Sequence, residues 1–180
     1  MDWLEEHRRG TPPGEALEFF DGLPAVLPGD LTGRWRGSGL PTGSPLDGLL
    51  EAHGWYGKEF VDAETAHPLL FRDATGRPRP VDPAFAPLGL LLARPGLAHT
   101  RAARAAFRVV RPLRYTRHPR ARLRLMQHRG VGTAALVYDA LPVIDVFRRV
   151  SDEVLLGAMD LRGLQQPFFF LLFREGSGAA

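Results

Sequence analysis

The chain contains no cysteine, which excludes disulfides, thiolate metal sites and cysteine nucleophiles together and leaves packing alone to hold the fold. Long apolar runs are missing too: Leu88–Ala93 falls far short of the roughly 18 residues a transmembrane helix needs, so no membrane insertion is expected. The start, Met1-Asp2-Trp3-Leu4-Glu5-Glu6, lacks the basic, apolar and small-residue regions of an export signal, and a cytoplasmic location is expected. Lysine is almost absent, since all of the 23 basic residues except Lys58 are arginine. Acidic residues are missing from Pro83 to Tyr138, where eleven arginines run from Arg94 to Arg129. There is no Gly-x-Ser-x-Gly elbow and no phosphate loop, because Gly37-Ser38-Gly39 is too short, which disfavours serine-hydrolase chemistry and nucleotide hydrolysis. His7, His53, His67, His99, His118 and His128 include no pair at i, i+3 or i, i+4 spacing, so neither a metal nor a cofactor is expected.

What remains is an ordinary composition, 44% hydrophobic and 24% charged over 180 residues, suited to one domain with a short extension. Residues 1–29 form that extension, in which Gly14–Phe20 reads as a short helix with Leu17 and Phe20 inward, a lid or plug. In 30–82, Leu31–Gly37 alternates as a first strand, and Ser44–Gly54 carries helix signals in Ser44 as cap, Pro45 at the first position and Gly54 as stop. Strands are expected at Tyr56–Val61 and Ala66–Phe71, with a turn at Asp73–Gly76 leading to Arg77–Val81. Residues 83–119 are a basic connecting segment in which Ala98–Arg111 reads as helix, then strand. Residues 120–175 read as a meander: Ala121, Leu123 and Leu125 alternate with arginines, and strands follow at Val131–Tyr138, Val143–Val150, Val154–Asp160 and Phe168–Arg174. Closing such a sheet removes its exposed edges, so the class is mainly β, a small antiparallel barrel over 30–175 with a few short helices. The only low-complexity stretch is the Gly-Ser-Gly-Ala-Ala tail.

Several stretches are familiar together. Gly33-Arg34-Trp35-Arg36-Gly37, then Leu40-Pro41-Thr42-Gly43, Pro45–Leu50 and Gly54-Trp55-Tyr56-Gly57-Lys58, resemble the bacterial family named for its Gly-x-Trp-x-Gly motif. Ala121–Arg124, Val137–Arg148 and Leu156–Asp160 resemble the domain of unknown function that accompanies it. The resemblance covers residues 30 to 174 and implies a lipocalin-like or nitrobindin-like barrel, without an activity to carry over. Where the pattern has a histidine after Thr42-Gly43 this sequence has Ser44, so no metal or acid–base role is carried to that position. A nitrobindin-like haem site would need a proximal histidine from the late strands, and none occurs after His128.

In Tyr138–Arg148, Asp145 and Arg148 interrupt an otherwise apolar strand. Alternation sets Asp145 with Val143 and Phe147 on one face, and Arg148 with Ile144 and Val146 on the other. A buried carboxylate can orient or move a proton, so Asp145 is the main candidate, while Asp139 caps the turn before Pro142 and Arg148 lies outside. Trp55-Tyr56-Gly57-Lys58 adds stacking surface, a phenol and the single lysine. Trp35, with Arg34 and Arg36 able to pack over it, closes the base, and Asp47 belongs to the first turn of its helix. Met126, Met159 and Phe168-Phe169-Phe170 would supply a pliable interior on one face and contact with a helix or a partner on the other.

The expected function is binding of a small hydrophobic molecule bearing a carboxylate or carbonyl. Trp55, Tyr56, Phe147 and Met159 would be walls, and Lys58, Tyr138, Asp139 and Asp145 polar contacts. The alternative is an isomerase, cyclase or hydrolase with Asp145 as acid or base and Tyr56 or Lys58 as the complementary catalytic group. A third reading, anion or nucleic-acid binding through residues 94–129, is disfavoured because only Phe107 and Tyr115 are available for stacking.

Overall fold

The computed structural model describes residues 2–176; the tail from Ser177 onward lies outside them. Two short helices, α1 (Asp2–Glu6) and α2 (Pro13–Gly22), precede a 3-10 turn and the first strand, β1 (Gly33–Gly39). Next come α3 (Leu49–Ala52), β2 (Trp55–Phe60), β3 (Ala66–Arg72) and the short β4 (Pro78–Pro80). Helices α4 (Leu88–Ala93), α5 (Pro95–Ala98) and α6 (Arg101–Val110) lead to the meander β5 (Ala121–His128), β6 (Val131–Tyr138), β7 (Val143–Ser151), β8 (Val154–Leu161) and β9 (Phe168–Arg174). No helix among the described residues is long and apolar enough to cross a membrane.

Eight strands close into an antiparallel barrel. Each strand from β5 to β9 pairs with its successor, β9 pairs with β1, β1 with β2, β2 with β3, and β3 with β5. The last seam is narrow, laddered at Ala66↔Ala121 and extended by the Leu123 amide donating to the Ala63 carbonyl at 2.8 Å. Beyond it β3 turns to β4 instead, through Leu70↔Pro80 and Phe71↔Arg79. Prolines 78 and 80 lack the N–H a further strand would need, so β4 ends the sheet and the helices after it finish the wall.

Strand alternation sorts the apolar residues into two cores. Phe168, Phe170 and Leu172 point into the barrel with Phe147 and Leu155, whereas Phe169 and Leu171 point outward with Val146 and Leu156. That outer wall would be an exposed apolar sheet, and α1 and α2 cover it through Leu4, Ala16 and Phe20. Helix α2 is therefore neither lid nor plug; it packs outside the barrel, with Ala16 buried where Leu17 was expected and Leu17 only partly so. Arg148 does face outward, yet it is buried beneath α2, its guanidinium 5.3 Å from the Phe20 ring centroid.

The base of the barrel is solid. Trp35 is fully buried there with Leu31, Phe60 and Phe147, its indole N–H donating to the Leu31 carbonyl at 2.7 Å. The cation over Trp35 is Arg174, at 4.2 Å, rather than Arg34 or Arg36: Arg34 pairs with Glu59 and Arg36 lies over Phe173. Three further expectations change. One Asp47 carboxylate oxygen accepts the amides of Thr42, Gly43 and Ser44, which curls that segment into turns and delays regular helix until Leu49. Residues 101–110 remain helical throughout, because Thr100 caps the helix by accepting the Ala103 amide and the half-buried Phe107 packs on the core. On β5 the inward run holds for Ala121 and Leu123, whereas Leu125 is exposed.

Candidate functional site

Simple alternation along β2 would put Trp55 inside and both Tyr56 and Lys58 outside. Gly57 breaks that pattern. Its φ is +150°, and the register with β3 slips on either side of it, from Trp55↔Phe71 to Gly57↔Leu70 to Glu59↔His67. The extra residue is a bulge, after which Lys58 and Phe60 face inward. Glycine is required, since a Cβ at position 57 would lie 1.9 Å from the Trp35 carbonyl oxygen.

Lys58 consequently meets β6 and β7. Its Nζ lies 2.7 Å from Oδ2 of Asp145, and the two residues are 2% and 0% exposed. The same Nζ donates to the Tyr138 hydroxyl and to the Pro68 carbonyl, both at 3.1 Å. Tyr138 in turn donates to Asp145 Oδ2 at 3.1 Å. Burial first, and then the charge and hydrogen bond of Asp145, push the Tyr138 phenol well above its ordinary value, so it holds its proton. Three rings surround the ammonium, Phe170 at 4.9 Å, Tyr138 at 5.5 Å and Trp55 at 5.9 Å from their centroids. Room for two of them comes from missing side chains: a Cβ on Gly37 would meet the Trp55 ring at 2.2 Å, and one on Gly157 the Phe170 ring at 2.3 Å.

A hydrogen-bond count of this triad is decisive. An ammonium has three protons, and Asp145, Tyr138 and Pro68 take all three. The single phenolic proton goes to Asp145. Asp145 Oδ1 is buried with no partner among the described residues. The triad therefore has acceptor capacity left and no donor capacity.

Lys58, Tyr138 and Asp145 form one wall of a cavity of about 110 Å³ inside the barrel. The remaining lining is apolar and includes Trp55, Met159 and Phe168, with Leu49 of α3 and Leu91 of α4 as roof. Leu49, Leu50, Leu69 and Leu91 also line a second chamber of about 390 Å³ beneath α4–α6, floored by Phe71 and Val81 and lined from α6 by Phe107. Its polar rim includes Asp82, Arg94, Arg111 and Arg114. Among the described residues, no three His, Asp or Glu side chains converge as a metal would require.

Of the residues singled out from the sequence, the fold brings Lys58, Tyr138 and Asp145 together and sets Trp55 and Met159 beside them. Three others do not join them. Tyr56 is on the outer wall, its hydroxyl donating to Glu175 at 2.5 Å and its ring under Arg72, because it precedes the bulge. Asp139 sits in the exposed β6–β7 turn and pairs with Arg122 at 2.9 Å. Phe147 points inward but belongs to the solid base, against Phe60 and Phe170. Sequence reasoning missed the roofing leucines of α3 and the carbonyl of Pro68; the i, i+3 spacing of Leu46 and Leu49 pointed to the first, and nothing pointed to the second.

Comparison with known proteins agrees with this architecture. Residues 18–76 match the GXWXG protein family, and residues 119–174 match the domain of unknown function DUF4334. The first match spans β1–β3 and the second β5–β9, so neither closes the barrel without the other. A crystal structure of a protein from Thermomonospora curvata is similar, with 29% identity and a TM-score of 0.70 over 97% of this chain and 99% of that one. No curated protein matches the sequence. The chain thus carries a GXWXG domain followed by a DUF4334 domain.

Proposed function

We propose that the barrel binds a small, largely apolar molecule that presents a hydrogen-bond donor, most simply a hydroxyl, to Asp145. The observation that carries this reading is that Asp145, a lining residue of an otherwise apolar cavity, keeps a buried Oδ1 with no partner among the described residues. Leaving such an oxygen unsatisfied costs free energy that a ligand donor recovers. A carboxylate or carbonyl, the classes the sequence pointed to, would need a donor from Lys58 or Tyr138, and neither has one to spare. The same count favours binding over turnover: Asp145 could serve as a base, but every proton of Lys58 and Tyr138 is already directed to a protein acceptor, and Tyr56 is outside the barrel. The inner chamber is smaller than the ~300–1,000 Å³ usual for ligand sites, so the outer chamber would hold the rest of the apolar body.

The test is calorimetric titration with octan-1-ol, 1-methoxyoctane and octanoate. A hydrogen bond to a charged acceptor contributes about 1.5–3 kcal/mol, so the alcohol should bind roughly ten- to a hundredfold more tightly than the ether. An ether or carboxylate that binds as well as the alcohol refutes the proposal. Asp145→Asn, with its amide turned to the cavity, should reverse the preference toward the ether.

A further inference from the structure

The helices that cover the outer chamber turn an unusual surface to solvent. On α6, Ala103 and Phe107 face the chamber, as does Val110 at its rim. Successive steps of about 100° then divide the outward half into two stripes. Arg101, Arg104 and Arg108 occupy one flank. Ala102, Ala106 and Val109, continued by Leu113 in the following turn, occupy the other, with Val109 and Leu113 76% and 81% exposed. Leu90 of α4 and Leu97 of α5, both about half exposed, line the mouth of the chamber.

The charges here are as one-sided as the apolar residues are exposed. No acid occurs from Pro83 to Tyr138. The guanidinium groups of Arg94, Arg101, Arg104, Arg108 and Arg117 make no hydrogen bond or ion pair among the described residues, although four other arginines of the chain's basic stretch, Arg120, Arg122, Arg124 and Arg129, each find an acid. The one acid at the rim, Asp82, is neutralised by Arg120 at 2.8 Å.

We infer that this face docks on an anionic lipid surface, with the Val109–Leu113 stripe entering the interface, the arginines on the headgroups and the chamber mouth turned toward the acyl chains. A helix with a basic stripe beside an exposed apolar stripe, too short to span, is the form that lies in a membrane interface. Nucleic acid fits less well. Phosphate contacts would use the arginines but leave Val109 and Leu113 facing water, and the ring on this helix, Phe107, is turned inward against His53 and Phe71, away from any base. The inference does not rest on the occupant of the inner chamber.

The full chain should co-sediment with phosphatidylcholine vesicles containing phosphatidylglycerol, less with phosphatidylcholine alone, and less again at high salt. Arg101→Gln, Arg104→Gln and Arg108→Gln combined should weaken this binding about a hundredfold, at about fivefold for each arginine. Val109→Asp with Leu113→Asp should weaken it about tenfold or more, with the unfolding curve unchanged because both side chains are exposed. Failure to bind anionic vesicles overturns the inference. So does vesicle binding that the arginine variant loses and the aspartate variant keeps, which is adsorption without insertion. Tighter binding to a DNA duplex than to the vesicles overturns it too. Alcohol binding that fails while vesicle binding succeeds removes only the proposed ligand.

Discussion

Replacing Lys58 with methionine separates stability from function at this site. The substitution keeps an unbranched apolar stem of similar length and removes the charge, so Asp145 stays buried without its cation, and Pro68 loses the donor to its carbonyl. Removing one member of a buried pair costs about 3–5 kcal/mol. With an m-value of about 2 kcal/mol/M in urea, the unfolding midpoint should fall by about 2 M. Adding Asp145→Leu and Tyr138→Phe removes every polar group of the triad while roughly keeping volume. Apolar replacement of a whole buried pair is commonly neutral or stabilising by about 1–4 kcal/mol. The triple variant should therefore recover the wild-type midpoint or exceed it, and bind no alcohol. Urea unfolding followed by tryptophan fluorescence measures all three proteins. A triple variant as unstable as the single one would mean that the ion pair itself supports the fold.

Two further outcomes follow from the same geometry. Gly57→Ala should cost about 3 kcal/mol or more, because its Cβ meets the Trp35 carbonyl and its φ of +150° is closed to alanine; thermal unfolding reads the loss, and a stability change below about 1 kcal/mol would show that the bulge is not fixed by that contact. Burial holds the imidazoles of His67 and His128 below their ordinary value. Between those lowered values and about 6.5 the unfolded chain binds more protons than the folded one, so stability should decline as pH falls below about 6.5. A variant with both histidines replaced by glutamine should show a flatter urea midpoint between neutral and mildly acidic pH, and an unchanged slope would refute the assignment.

The meander was legible because its strands carry the simple period-two signal with glycine or polar turns between them. Phe168, Phe169 and Phe170 illustrate the limit of that signal: three identical neighbours say nothing about which faces inward, and only the pairing of Phe168 with Met159 across β8 and β9 fixes it. Asp145 was legible for the opposite reason, a charge breaking an apolar strand on the same face as Val143 and Phe147. Lys58 stands out as the sole lysine, but its direction is not readable from the sequence, because a bulge changes parity without leaving a pattern in residue type beyond one glycine. The same bulge explains why Tyr56 and Lys58, which share a face by simple alternation, lie on opposite sides of the wall. The connecting segment was illegible where burial is incomplete: the half-buried Phe107 is followed by Val109 and Val110, which resemble a strand although they are exposed on a helix.

The motif that names the family acts on the site at one remove. In Gly33-Arg34-Trp35-Arg36-Gly37, Trp35 fills the base, and its carbonyl is the atom that Gly57 approaches too closely for any other residue. Gly37 leaves the space that the Trp55 ring fills, and that ring is one of the three around the Lys58 ammonium. Trp35 is also the cross-strand partner of Lys58 in the β1–β2 ladder, with Arg36 opposite Gly57. The first strand thus sets the bulge, the bulge turns Lys58 inward, and β6 and β7 from the other half of the chain supply Tyr138 and Asp145. A change in the motif should therefore reach the pocket even where the barrel still closes. Gly37→Ala would push the Trp55 ring across the small inner chamber, so alcohol affinity should fall further than stability does.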